Sequence, residues 1–331
     1  MTTTTIEKSA PAAARFKQFA VCAESIAKHP VMRQEVLNAY PQARFNESGH
    51  RMNEEETIAF LKGCDGAIMG FEPINDRTLS ALPDLKTLGK YGAGCETIDF
   101  QALKRHGVKF GYTWGANRLA VAELTLGFML MGLRHVMSLN LAMRAGERPR
   151  IKNGLFLTNR VVGIHGCGHI GKEVVRLLQP FNCKIIACDI KDYADFYKKW
   201  NVEPVSHEEL LARSEVLTLH IPKTRQTLGL YSRDVLRKMQ PGAVLINNCR
   251  GGIVDEEALL EQLESGALMA ACFDVFAIEP AQCDKLLAHP NFLASPHIGA
   301  STEETRVLMV HAALNGLNIA RVVEPEEFYG V

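Results

Sequence analysis

Residues 161–171 read VVGIHGCGHIG, and the fold turns on this stretch. An apolar run rich in β-branched residues is followed by Gly166, Gly168 and Gly171 in the G-x-G-x-x-G spacing, and the residues after it, 172–178, have helical character. A second apolar run at 184–188 ends on Asp189, 18 residues beyond the third glycine. The spacing closes one strand–turn–helix–strand unit with a carboxylate at its end. In such a unit the first glycine permits the tight turn, the second lets backbone N–H groups approach a pyrophosphate, and the third allows close helix–strand packing. The helix N-terminus adds partial positive charge. Asp189 would accept hydrogen bonds from ribose hydroxyls and repel a 2′-phosphate, which favours NAD over NADP, although Lys191 opposes that selection.

Outward from this unit the same alternation continues. Downstream, VLTLHIP, AVLINN, LMAACFD and NFLASPH each read as a strand ending in a turn, and His220 and Pro222 end one of them at the edge where an adenine would lie. Upstream, FAVCA, GAIMG, LKTLGKYG and VKFGY alternate with helical segments at 54–61, capped by Asn53 with Glu56 three residues on, and at 100–105 after Asp99. Alternating strands and helices imply parallel sheets covered by helices. Residues 117–145 lack proline and space Leu, Ala and Met helically, so one long helix is expected there, leading into a second domain. The last helix, 303–321, has no strand after it and would pack back across the first domain, making that domain discontinuous.

A length of 331 residues suits two domains. Hydrophobic content of 47% and charged content of 22% are those of a folded globular chain. With 37 basic and 37 acidic side chains the formal charge is zero, so no bulk field draws the chain to nucleic acid or an anionic membrane. Nine scattered cysteines with no CxxC pair fit a reducing cytoplasm and offer no zinc site. Residues 1–15 lack the apolar core of a signal peptide and read as a frayed tail. The longest apolar stretch, 120–133, is interrupted by Glu123 and falls short of the ~20 residues of a membrane span, so it reads as a buried helix.

In an open α/β sheet, ligands bind beyond the carboxyl ends of the strands. Three such ends carry chemistry: Arg250 after AVLINNC, Asp274 and then Glu279 after LMAACF, and His297 after NFLASP. An arginine fork, a carboxylate and a histidine beside a nicotinamide site are what oxidation of a 2-hydroxy acid requires. Arg250 would grip the acid's carboxylate, His297 would take the hydroxyl proton as hydride leaves C2, and Glu279 would orient the imidazole.

Taken together, GKYGAGCETID, TWGANRLAVAELTLG, VVGIHGCGHIGKEV, LTLHIPKTRQT, INNCRGGIVDEEAL, CFDVFAIEP and ASPHIGAS resemble the D-2-hydroxyacid dehydrogenase family, from about residue 85 to 305. The resemblance implies the same catalytic roles for Arg250, Glu279 and His297. It places His169 and Ile170 at the pyrophosphate and Asp274 at the nicotinamide carboxamide, with Cys249 and Gly299 also on the cofactor side. It gives the loop Tyr91, Gly92, Ala93 and Gly94 backbone N–H groups for the substrate carboxylate. Lys90 falls where phosphoglycerate dehydrogenases carry an arginine for the substrate phosphate, so an anionic tail on the substrate is expected. Glu96-Thr97 in place of the usual Asp-Asn, Trp114 in place of proline, and Cys249 in place of a small residue depart from the pattern.

The architecture implied is two Rossmann-like doubly wound sheets: an NAD-binding domain, 117–296, inserted into a flavodoxin-like substrate domain, 1–116 plus 297–331, with a cleft that closes on turnover. A homodimer through the helix after Asn117 is also implied. No residues remain for the C-terminal regulatory domain of some phosphoglycerate dehydrogenases, so serine feedback through such a domain is not expected. Two rival readings share the fold. Phosphite dehydrogenase keeps the same arginine, glutamate and histidine, while corepressors of this family bind NAD(H) without significant turnover. Formate dehydrogenases pair the histidine with glutamine, which Glu279 argues against.

Overall fold

The computed structural model describes residues 15–150 and 154–328. Of the N-terminal tail only Arg15 falls among them. The chain divides into two compact units, Met1–Asn117 with Ser301–Val331, and Arg118–Ala300.

The first unit is built on five short parallel strands: β1 (Phe19–Val21), β2 (Arg44–Phe45), β3 (Gly66–Met69), β4 (Thr87–Lys90) and β5 (Lys109–Gly111), in the order β2-β1-β3-β4-β5. That is the flavodoxin-like order, with its switch point between β1 and β3. β1, β3 and β4 are buried throughout, which is why β1 and β3 read as unbroken apolar runs rather than alternations, while β4 also buries Thr87 and Lys90. The helix Glu54–Leu61 starts where Asn53 and Glu56 form a reciprocal capping box, and Phe100–Arg105 starts where the Asp99 carboxylate accepts from Ala102 N at 2.9 Å. The last helix, Glu303–Ile319, packs on β4 and β5. It can do so because glycines meet at the crossing: a Cβ on Gly111 would lie 2.0 Å from the Gly316 carbonyl oxygen.

The second unit carries seven parallel strands: β6 (Val161–His165), β7 (Lys184–Cys188), β8 (Val202–Pro204), β9 (Val216–Leu219), β10 (Ala243–Asn247), β11 (Leu268–Phe273) and β12 (Phe292–Ala294). Their order, β12-β11-β10-β9-β6-β7-β8, is a doubly wound Rossmann sheet extended by one strand, reversing direction between β6 and β9. Two edge strands, β2 and β8, left no mark in the sequence pattern. They have two and three residues, and Arg44, Glu203 and Pro204 are exposed.

The single helix expected over 117–145 is two, Arg118–Leu133 and Val136–Arg144, bent by 66°. His135 breaks the run in the left-handed region at φ +52°. The first helix lies against the sheet, where a Cβ on Gly132 would come within 2.8 Å of Val244, and its end is sealed by Leu155 N donating to the Leu133 carbonyl at 2.9 Å. The second helix buries no residue. Only the first therefore packs on the sheet, a difference that helical spacing does not record. No single helix among the described residues is long and apolar enough to cross a membrane.

The crossing back to the first unit falls after Ala300 rather than after Pro296. His297, Ile298 and Gly299 are tied by their backbone N–H groups to Asp274, so they belong with the strand that carries it.

Candidate active site

The glycine turn at the carboxyl end of β6 has the geometry its spacing demands. Gly166 sits at φ +94°, where a Cβ would lie 2.5 Å from the His220 carbonyl oxygen, and a Cβ on Gly171 would lie 2.2 Å from the Gly166 carbonyl. Gly168 has nothing within 4 Å of its Cβ position. It opens the helix His169–Leu178 with no side-chain cap, so backbone donors at this helix start face open space. Burial lowers the His169 pKa, and the nearby cations Arg118, Lys172 and Lys191 lower it further. The glycine turn and an uncapped helix start, with cations near His169, suit a pyrophosphate.

Asp189 also braces this turn. One carboxylate oxygen accepts from Cys167 N at 2.6 Å and the other from Lys191 N at 2.8 Å. Ile190, next in the chain, is 99% exposed. Its place directly after Asp189 puts an exposed apolar side chain beside the turn. His220 hydrogen-bonds Thr218 Oγ1 through Nε2 at 3.0 Å, while its buried Nδ1 has no partner among the described residues. Burial lowers this imidazole's pKa to about 3, so the ring is neutral with one nitrogen left for a ligand. These residues fit a dinucleotide.

On the same sheet, the turns after β10, β11 and β12 carry Arg250, Glu279 and His297. His297 Nδ1 and Glu279 Oε2 are 2.8 Å apart, and the other Glu279 oxygen accepts from Phe276 N at 3.1 Å. An ionised carboxylate only accepts, so Nδ1 carries the proton in this pair and the Nε2 lone pair faces away from it. The two side chains are 49% and 38% exposed, open enough for a substrate to reach.

His297 sits at φ +55°, a left-handed conformation that a non-glycine residue holds only when its surroundings enforce it. The enforcement comes from Asp274, which is 1% exposed. Its carbonyl accepts from His297 N at 2.9 Å, and its carboxylate accepts from Ile298 N at 2.8 Å, Gly299 N at 2.7 Å and the Ser295 hydroxyl. Both Asp274 and Gly299 are thus engaged with each other, and the carboxylate keeps roughly one of its four acceptor positions for anything else.

Arg250 ends the neighbouring turn. Its Nη1 donates to the Cys249 carbonyl at 2.8 Å, and the Arg250 carbonyl accepts from Asn247 Nδ2 at 3.1 Å. The next residue, Gly251, lets this turn close on the one carrying Glu279: a Cβ there would lie 1.7 Å from the Phe276 carbonyl oxygen. Cys249 is buried, which pushes its thiol up to about 11, and its Sγ lies 3.0 Å from Asn247 Oδ1.

In the first unit, Gly92 of the loop Tyr91, Gly92, Ala93 and Gly94 takes φ +90°. Tyr112 Oη donates to the Ala93 carbonyl at 3.0 Å. Lys90 is not the outward-reaching cation that the resemblance implies. It is 1% exposed, and its Nζ donates to the carbonyls of Gly70 and Tyr91, both at 2.7 Å.

Residues 126–299 match the family model described as D-isomer specific 2-hydroxyacid dehydrogenase, NAD binding domain. The chain belongs to that family. It is 38% identical over 234 residues to a hydroxypyruvate reductase of Thermotoga maritima, covering 69% of this chain and 75% of that protein. It is 34% identical over 235 residues to a D-3-phosphoglycerate dehydrogenase of Bacillus subtilis, covering 71% of this chain and 45% of that one. The chain thus spans about half the length of the phosphoglycerate dehydrogenases it matches. Among solved structures, a glyoxylate reductase from Paecilomyes thermophila is similar at a TM-score of 0.80 and 28% identity, over 91% of this chain and 94% of that one. As a family member, this dehydrogenase is a nicotinamide-dependent oxidoreductase of small hydroxy and oxo acids.

Proposed function

We propose that the protein interconverts a small D-2-hydroxy acid and its 2-oxo acid with NAD(H), using His297 as the acid–base. The observation that carries this reading is the 2.8 Å pair of His297 and Glu279, held at the end of a Rossmann sheet by the buried Asp274. The Gly166–Gly168–Gly171 turn and the Asp189 carboxylate hold the dinucleotide, with His169 and Ile170 at the pyrophosphate and Ile190, His220 and Pro222 around the base. Because Asp189 sits where a 2′-phosphate would meet a negative charge, NAD is selected over NADP.

When bound, the nicotinamide supplies or accepts the hydride at C2. In the oxidising direction, Nε2 of His297 accepts the C2 hydroxyl proton, and Glu279 fixes the tautomer and faces the imidazolium that results. In the reducing direction, protonated His297 returns that proton to the C2 oxygen. Arg250 grips the carboxylate with its planar fork. The Tyr91–Gly94 loop offers the carboxylate backbone N–H groups. Leu130, Met131, Val136, Leu141 and Met143 leave an exposed apolar surface on the two helices after Asn117, which supports a homodimer formed there.

The test is NADH oxidation against glyoxylate, hydroxypyruvate, pyruvate, 2-oxoglutarate and phosphohydroxypyruvate, with NAD plus phosphite alongside, in the wild type and in His297→Ala. Turnover of at least one 2-oxo acid is expected. The variant should lose about 10²–10⁴-fold in kcat while its NADH affinity is kept. Silence toward every oxo acid with NADH still bound would overturn the reading in favour of an NAD(H)-sensing binder, and turnover of phosphite alone would replace the substrate.

A further inference from the structure

The turn that carries Arg250 is fastened on both sides. Before it, the buried Asn247 closes the turn through its side-chain amide. After it, residues 252–254 run beside 229–231 as a short parallel bridge. Gly229 N donates to the Gly252 carbonyl at 2.8 Å, Tyr231 N donates to the Ile253 carbonyl at 3.0 Å, and Asp255 N donates to the Tyr231 carbonyl at 3.1 Å. Where the Arg250 turn sits along the sheet edge therefore depends on where residues 229–231 are fixed.

Tyr231 fixes them by a long reach. Its side chain is fully buried, and its Oη lies 2.7 Å from Nδ1 of His165, the last residue of β6 and the neighbour of Gly166. Around Tyr231 the packing is apolar, with Leu219, Leu236 and Ile253 in the same buried cluster. Stability alone gives no reason for a polar pair in such a place, because two apolar side chains of similar shape would serve nearly as well. What a buried hydrogen bond adds is a fixed direction and distance between the segments it joins.

We propose that Tyr231 is a positioning residue: its hydroxyl ties the stretch after Arg250 to the end of β6, and so holds the carboxylate-gripping arginine in register with the glycine turn that carries the dinucleotide. This role presupposes the proposed dehydrogenase reading, and Tyr231 acts in it through Arg250, without touching substrate or cofactor. Arg250 would hold the carboxylate alike in the ground state and the transition state, so a slack tie weakens binding of the acid without slowing the chemical step. The glycine turn itself stays in place when the tie is cut, since Gly166 N donates to the Cys188 carbonyl at 2.9 Å and the His165 carbonyl accepts from His220 N at 2.7 Å.

Tyr231→Phe removes the hydroxyl and keeps the ring. KM and kcat are measured on the preferred oxo acid, with the NADH dissociation constant and Tm alongside. Two controls separate positioning from lost stability. Leu178→Ala opens a cavity at the far end of the helix that follows the glycine turn, and Tyr231→Phe combined with His165→Phe makes the pair apolar on both sides. KM should rise about tenfold in Tyr231→Phe, the factor that one hydrogen bond corresponds to, with kcat and NADH affinity within about threefold of wild type. It should stay raised in the double variant, where Tm recovers, while Leu178→Ala lowers Tm yet leaves KM within about twofold. The proposal is overturned if KM in Tyr231→Phe is unchanged, if it returns to the wild-type value in the double variant, or if Leu178→Ala raises it equally. A parallel loss of kcat and NADH affinity in Tyr231→Phe, which is general loosening, overturns it too. Should Tyr231→Phe fail to fold, the double variant decides by the same KM comparison. Wild-type inactivity toward every oxo acid would instead overturn the dehydrogenase reading and is visible before any variant is made.

Discussion

Replacing Asp274 with asparagine should separate the positioning of His297 from cofactor binding. In the wild type the Asp274 carboxylate accepts from Ile298 N, Gly299 N and the Ser295 hydroxyl, all within the turn that holds His297 at φ +55°. Asparagine keeps one acceptor oxygen and turns an amide toward at least one of those donors. About one charge-assisted hydrogen bond is lost, roughly 1.5–3 kcal/mol, and one buried donor goes unsatisfied, roughly 1–3 kcal/mol. The strain of the left-handed residue, roughly 1–2 kcal/mol, is common to both proteins and only narrows the margin that holds the turn. Relaxation of the turn recovers part of this, so a net weakening of about 3 kcal/mol is expected, which lowers the equilibrium constant for the productive turn about 100-fold and, with the relaxed turn then predominant, kcat by up to that factor. The assay is steady-state kcat on the preferred oxo acid, with NADH affinity followed by fluorescence and folding by thermal melting. NADH affinity should stay within about threefold, because the variant retains an acceptor oxygen for an amide ligand. A kcat within threefold of wild type in a folded variant would refute the reasoning. A loss carried mainly by NADH affinity would show that this carboxylate serves the cofactor first.

Two further outcomes are expected. Asp189→Ala removes the charge that opposes a 2′-phosphate while Lys172 and Lys191 remain near the turn, so the ratio of kcat/KM with NADPH to that with NADH should rise about tenfold or more; an unchanged ratio would mean that another residue selects the cofactor. His165, with Nδ1 and the Tyr231 hydroxyl 2.7 Å apart, has its pKa lowered to about 4 by burial and then by His207. Its neutral form therefore contributes stability that is complete above the unfolded value near 6.5 and is lost as pH falls toward 4, at up to about 1.4 kcal/mol per pH unit. Urea denaturation from pH 7 to 4.5 should show a shallower decline in His165→Phe than in wild type, and parallel declines would contradict the assignment.

Much of the architecture was written locally. Gly166 and Gly171 mark the turn after β6 because each answers a close approach of backbone, and Asn53 and Asp99 mark helix starts because a cap acts within three residues. Arg250, Glu279 and His297 could be picked out because parallel sheets deliver strand ends to one edge, so chemistry far apart in the chain falls at corresponding positions. Short exposed edge strands such as Arg44–Phe45 left no comparable trace, since they have too few residues for a pattern and too little burial to demand apolar ones.

What the sequence by itself determined, then, is the alternation of the longer strands with helices, the glycine turn and the placing of Glu279 and His297 after strand ends, all of which follow from backbone sterics and from residue types. Tertiary structure alone decided that the helix after Asn117 breaks at His135, that Asp274 is spent on holding His297, and that Lys90 lies beneath its loop instead of in front of it. Each depends on which backbone groups come within about 3 Å across distant segments, and hydrogen bonds of that kind leave no periodicity in a chain read one residue after another.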